Sequence, residues 1–119
     1  MEDNPANLRL VEQILAEDLP EIHVLSAPQA QMGLDLARAH RPGLILMDIN
    51  LPGMDGRTAF KKLKTFEETR DIPVVAISAN AMKKDIEDTL AMGFREYMVK
   101  PVDPGKLVKL VERYLALKP

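Results

Sequence analysis

The residues with the most chemical capacity are Asp48, Ser78 and Lys100, together with the acidic pair Glu2-Asp3. Asp48 follows the apolar run Leu44-Ile45-Leu46-Met47, Ser78 follows Val74-Val75-Ala76-Ile77, and Lys100 follows the short segment 94–99. A polar residue that ends an unbroken apolar run is the side chain a buried strand delivers to its tip. Carboxylates without histidine suit a hard cation that keeps part of its water shell, hence Mg2+ or Mn2+ more readily than zinc. Such a cation among acids, an ammonium and a hydroxyl makes a pocket for a phosphoryl group. The metal and Lys100 neutralise its oxygens, Ser78 donates a hydrogen bond, and an Asp48 oxygen attacks phosphorus in line. The product is an aspartyl phosphate.

Each residue taken singly has an ordinary explanation. Asp48 precedes Pro52-Gly53 and Asp55-Gly56, so it can cap a turn. A lone serine is most often an N-cap or turn residue, a lone lysine is most often solvated, and Glu2-Asp3 can be a frayed acidic terminus. Joint placement at successive strand tips favours the chemical reading, because strands of a parallel sheet end on one edge, where open α/β sheets bind ligands.

The elements that must position these residues follow from periodicity and punctuation. Asn4-Pro5 starts a helix with Leu8, Val11, Ile14 and Leu15 inward, stopped at Asp18-Leu19-Pro20. Residues 22–25 read as a strand. Pro28 opens a second helix with Met32, Leu36 and Ala37 inward, and Arg41-Pro42-Gly43 ends it. After the strand at 44–48 comes a helix over 57–68 on Ala59, Phe60 and Leu63. The strand at 74–77 is followed by a helix carrying Met82, Ile86 and Leu90 on one stripe and closing at Gly93. A short strand lies within 94–99, and Asp103-Pro104 starts the last helix, with Leu107, Leu110, Val111, Tyr114 and Leu115 inward. The order α-β-α-β-α-β-α-β-α means a parallel sheet covered on both faces.

The 119 residues make one domain, 1–119, with no linker, repeat or low-complexity segment. Cysteine is absent, which excludes disulfides, a thiol nucleophile and thiolate-bound zinc. The two histidines, His23 and His40, have no neighbour at ligand spacing. A formal net charge of −2 and scattered lysines and arginines give no footprint for nucleic acid. No apolar stretch has membrane-spanning length, and the start MEDNPANLRL lacks the apolar centre of a signal peptide, so a cytoplasmic location is expected.

These residues resemble the response regulator receiver domain of two-component signalling, with its flavodoxin-like fold. The likeness rests on Glu2-Asp3 before Asn4-Pro5, the stretch MDINLPGMDG, the segment AISANAM and YMVKP at 97–101, in order and across nearly the whole chain. It implies that Asp48 is the phosphoacceptor, supplied from a phosphohistidine on a histidine kinase or histidine phosphotransfer protein. It further implies magnesium held by Glu2, Asp3, Asp48 and the backbone carbonyl of Asn50, and Lys100 on the phosphoryl oxygens before a cis bond to Pro101. Ser78 and Tyr97 would form the switch that alters a face read by a downstream effector, and Asn50 and Asn80 would tune dephosphorylation. AISANAMKKD and EYMVKPVD look more like receivers of hybrid histidine kinases, or stand-alone ones, than those fused to DNA-binding domains.

One departure is marked. Receivers begin with an apolar strand ahead of the acidic pair, in the middle of the sheet, whereas here Met1 directly precedes Glu2. A domain truncated at its first strand leaves neighbouring strands without ladder partners, so partial disorder, compensating pairing or a strand-exchanged homodimer is expected around Glu2-Asp3. Two competing functions stand beside the receiver: a phosphorylation-independent docking module of the same fold, and a hydrolase of the haloacid dehalogenase type. The last needs a second aspartate two residues after the nucleophile, where this chain has Asn50.

Overall fold

The computed structural model describes residues 5–19, 24–27, 29–49 and 56–115. Their elements in chain order are α1 (Pro5–Asp18), α2 (Ala30–His40), β1 (Ile45–Asp48), α3 (Gly56–Thr65), β2 (Val74–Ser78), α4 (Lys83–Ala91), β3 (Glu96–Val99) and α5 (Pro104–Leu115). The strands form a parallel sheet in the order β1-β2-β3, with Asp48 opposite Ile77 and Ser78 opposite Val99. The site-bearing tips therefore share one edge, as the sequence pattern requires.

The unbroken apolar runs are explained by a core on each side of the sheet. Ile45, Met47, Val74 and Ala76 pack with Leu34, Phe60 and Leu63 from α2 and α3. Val75, Ile77 and Met98 pack instead with Ile14, Leu15, Leu107 and Val111 from α1 and α5. Alternate residues of one strand thus enter opposite cores, so neither parity can be polar. At the end of α4, Gly93 adopts φ 120°, and its N–H donates to Leu90 O at 3.1 Å. A Cβ there would also come within 3.2 Å of the Phe60 ring, which stacks on Phe94 with centroids 4.1 Å apart. The positive φ is what calls for glycine, and the ring leaves little room for a Cβ.

The structure corrects four readings. Val24 and Leu25, the described half of the strand expected at 22–25, carry no strand structure and are 36% and 41% exposed; Ile22 and His23 lie outside the described residues. Between that segment and Leu44, Ile45 and Leu46 lies a cavity of about 480 Å³, bounded by Val11 and Leu15 of α1 and by Gly33 and Ala37 of α2. Among the described residues this segment has no ladder to join, which is why apolar pattern alone does not make it a strand. The inward stripe of α4 is also revised: Met82 and Leu90 are exposed, Ile86 is half-buried and Thr89 is the buried residue of that helix. α4 packs at the sheet's edge against β3 and has no wide core face to fill. On α2, Met32 is exposed and Leu36 half-buried, while Gly33, Leu34 and Ala37 form the buried face. The third helix ends at Thr65, three residues short of the expected 68, where Thr69 Oγ1 turns back to donate to Leu63 O at 2.6 Å and caps the helix end.

Candidate functional site

Asp48 ends β1 with 2% of its surface exposed, and burial of a carboxylate demands a partner. Lys100 provides one: its Nζ donates to Asp48 Oδ2 at 2.7 Å. Lys100 reaches this point because β3 has just ended and its own N–H is held by Ser78 O at 2.9 Å, beside the cis Lys100–Pro101 peptide. Charge-assisted bonds of this kind are stronger than neutral ones, and the lysine's side chain, 18% exposed, is itself largely withdrawn from water.

Gly56 sets the depth of the site. Its N–H donates to Ile49 O at 2.6 Å, and a Cβ on it would lie 2.5 Å from Asp48 O and 2.7 Å from Ile49 Cα. Both obstacles are backbone atoms, so only glycine lets α3 begin this close to the tip of β1. Sequence reasoning took Asp55-Gly56 as a turn pair and missed this packing role; the glycine at the start of a helix after a strand-ending acid was the available signal.

Ser78 is 2% exposed, and its Oγ accepts the Asn80 N–H at 3.1 Å. Tyr97, opposite Ala76 in the adjoining strand, packs partly against the core and donates its hydroxyl to Asn80 O at 2.7 Å. The Asn80 side chain turns to α4, where Oδ1 accepts the Met82 N–H at 2.9 Å and Nδ2 donates to Asp85 Oδ2 at 2.7 Å. The structure thus brings Asp48 to Lys100, Lys100 to Ser78, and Ser78 to Tyr97 through Asn80. Asp85 is a participant that the sequence did not single out, since its role depends on the fold of the loop ahead of α4.

Glu2, Asp3 and Asn50, expected with Asp48 around a cation, lie outside the described residues. Among the described residues, no group of three or more histidine, cysteine, aspartate or glutamate side chains is placed to hold a metal. Asp48 is a carboxylate donor of the kind a hard cation takes. Away from the site, a hydrogen bond from Arg38 holds the Glu68 carboxyl below its usual range. Burial lowers the pKa of Lys64, whose Nζ donates to Arg70 O and Ile72 O, and burial raises that of Tyr114.

Residues 1–112 match the family model for the response regulator receiver domain. The chain is 40% identical over 116 residues to the polar-differentiation response regulator DivK of Brucella ovis, covering 97% of this chain and 92% of that protein. Among solved structures it is similar to the receiver domain of a sensor histidine kinase from Pseudomonas aeruginosa that has a magnesium ion coordinated in its active-site cleft. The identity there is 30% and the TM-score 0.86, with 98% of this chain and 93% of that one covered. A chemotaxis protein CheY4 from Vibrio cholerae, 22% identical with a TM-score of 0.85 over 95% and 92% of the two chains, shares the fold. The flavodoxin-like architecture expected from the sequence is therefore present, and the chain belongs to the response regulator receiver domain family of two-component signalling.

Proposed function

We propose that this receiver takes a phosphoryl group from a phosphohistidine onto Asp48 and uses it to switch a partner-binding face. The observation that carries the reading is the ion pair itself: a carboxylate 2% exposed at a strand tip, held at 2.7 Å by Lys100. In the transfer, an Asp48 oxygen forms the new bond to phosphorus as the P–N bond to the donor imidazole breaks, and the imidazole keeps the electron pair. Lys100 then has a phosphoryl oxygen to pair with in place of the bare carboxylate, and Ser78 has a hydroxyl to donate. Mg2+, or Mn2+, would be held by Asp48 with Glu2, Asp3 and the Asn50 carbonyl, and would supply neutralisation of the phosphoryl charge.

The phosphoryl donor is a histidine kinase or a histidine phosphotransfer protein, and the recipient of the signal is an effector protein. The domain assists its own phosphorylation and dephosphorylation but acts as a signalling phosphoacceptor, not as an enzyme turning over a separate substrate. No helix among the described residues is long and apolar enough to cross a membrane, and a cytoplasmic site of action suits a phosphohistidine donor. A strand-exchanged homodimer is a further part of this reading, supported by a cavity lined by Leu44, Ile45 and Leu46 at β1, an outer strand of the described sheet. Sedimentation across a wide range of protein concentration tests this, and a monomer throughout removes it.

Intact mass after incubation with magnesium and acetyl phosphate tests the central reading. The wild type should gain one phosphoryl group and Asp48→Asn none. No gain by a wild type that still melts cooperatively would overturn it in favour of the phosphorylation-independent docking module.

A further inference from the structure

The cavity of about 480 Å³ between residues 24–27 and β1 has the dimensions of a ligand site, since small-molecule pockets span about 300–1,000 Å³. Its wall is mostly apolar: α1 contributes Val11 and Leu15, β1 contributes Leu46, and α5 contributes Val111 and Leu115. An apolar cavity lowers stability in proportion to its volume, and water gains little in it because partners for its hydrogen bonds are few. An apolar molecule that fits is therefore bound with a gain in stability. The described polar residues of the wall are Glu12 and Ser26, both half-buried, and His40, exposed at the end of α2. Glu12 decides the charge of the occupant. A carboxylate against an apolar wall repels an anion and accepts a hydrogen bond from a neutral donor. A cation would pair with it, but gives up its hydration on entering an apolar chamber.

We propose that this cavity binds a small uncharged apolar molecule with one hydrogen-bond donor, a phenol of bicyclic size, with its donor end at Glu12. The cavity also reaches the segments that carry the candidate site. Leu46 lies two residues before Asp48, Ile77 directly precedes Ser78, and Val102 lies two residues past Lys100; all three line it. An occupant therefore packs beside each of those segments. The proposal stands apart from the phosphoacceptor reading of Asp48, because the cavity and its lining alone carry it.

Titration with 2-naphthol, followed by its fluorescence and by methyl spectra of the 13C-labelled chain, tests the proposal. Binding should saturate, the methyl signals of Leu46, Ile77 and Val102 should shift, and 2-naphthoate, the matching anion, should bind more weakly. Leu36→Trp, which fills the cavity from α2, should abolish binding. Should that variant fail to fold, Glu12→Lys replaces a repelling charge with an attracting one, and it should bind 2-naphthoate more tightly than 2-naphthol. Shifts confined to residues away from the cavity, binding that survives Leu36→Trp, or an unchanged order of preference in Glu12→Lys overturns the proposal. A strand from a second copy would need the same space. No saturable binding therefore overturns the proposal as well, and makes the second copy the occupant where the chain also sediments as a dimer.

Discussion

Lys100, just beyond β3, meets Asp48 at the end of β1 at 2.7 Å, although β2 lies between those strands in the sheet. The contact exists because a long flexible side chain crosses over the tip of the central strand, at the point where Ser78 O holds the lysine's own N–H. The ammonium spans the sheet edge, so its position registers the ends of all three strands.

Removing that ammonium should be costly. Lys100→Ala deprives a 2% exposed carboxylate of its cationic partner. Breaking a buried pair costs about 3–5 kcal/mol, and the lysine's partial exposure brings the expected loss below that range, to about 2–3 kcal/mol. Asp48→Asn in the same background removes the stranded charge and should recover much of that loss. Urea unfolding of the two single variants and the double variant measures the interaction, and strictly additive losses would contradict a direct pair.

Gly56→Ala should be among the most damaging small substitutions in the domain. Its methyl group would meet Asp48 O and Ile49 Cα, and backbone cannot give way as a side chain can. Overpacking of this kind costs about 1–3 kcal/mol, and the displaced backbone carries the phosphoacceptor. The matched control is Gly105→Ala, where the nearest contact is Asp103 Oδ1 at 3.4 Å. Chemical denaturation and phosphoryl uptake should both fall in Gly56→Ala and remain near wild type in Gly105→Ala.

What could be read from sequence was what burial enforces. The apolar runs ending on Asp48 and Ser78 signal strands because both faces of β1 and β2 must be covered, and the inward face of α5 was read correctly in Leu107, Leu110 and Val111 for the same reason. The stripe of Met82, Ile86 and Leu90 misled because periodicity reports that a face exists, not that a core awaits it; α4 sits at the sheet's edge. Residues 24–25 misled in the opposite sense, since strand formation depends on a neighbour that local pattern does not contain. Gly56 and Asp85 were missed because one role is a close backbone approach across the loop between β1 and α3, and the other a bond set by the loop ahead of α4, and no periodicity encodes the path of either loop.

The acid limb of stability should respond to Glu68. Arg38 Nε donates to its Oε2 at 3.0 Å, and that bond is the main cause of a folded-state pKa below the ordinary 4.5. The stabilisation is fully present above the unfolded value and is lost as pH falls through the lowered folded one. Melting temperatures of Glu68→Gln should therefore lie slightly below wild type at neutral pH, decline less steeply through that window and converge with wild type below it. The pair is at the surface, so added salt should shrink the difference. Equal acid limbs for the two proteins at low salt would show that the contact carries no linkage.

Thr89 offers a test of how α4 is held from its other end. It is fully buried, and its Oγ1 accepts from Arg57 Nη2 at 2.7 Å, joining α4 to the first turn of α3 beside Gly56. Thr89→Val keeps the shape but removes the acceptor, leaving a partly buried guanidinium short of a bond, and a hydrogen bond to a charged group contributes about 1.5–3 kcal/mol. Thr89→Ser keeps the acceptor and loses a methyl, at roughly 1 kcal/mol by the transfer scale for one buried carbon. The valine variant should therefore be the less stable of the two, and hydrogen exchange in residues 83–91 should quicken more in it than in the serine variant. If the serine variant proves the weaker, packing of the methyl and not the bond to Arg57 secures this helix to the rest of the domain.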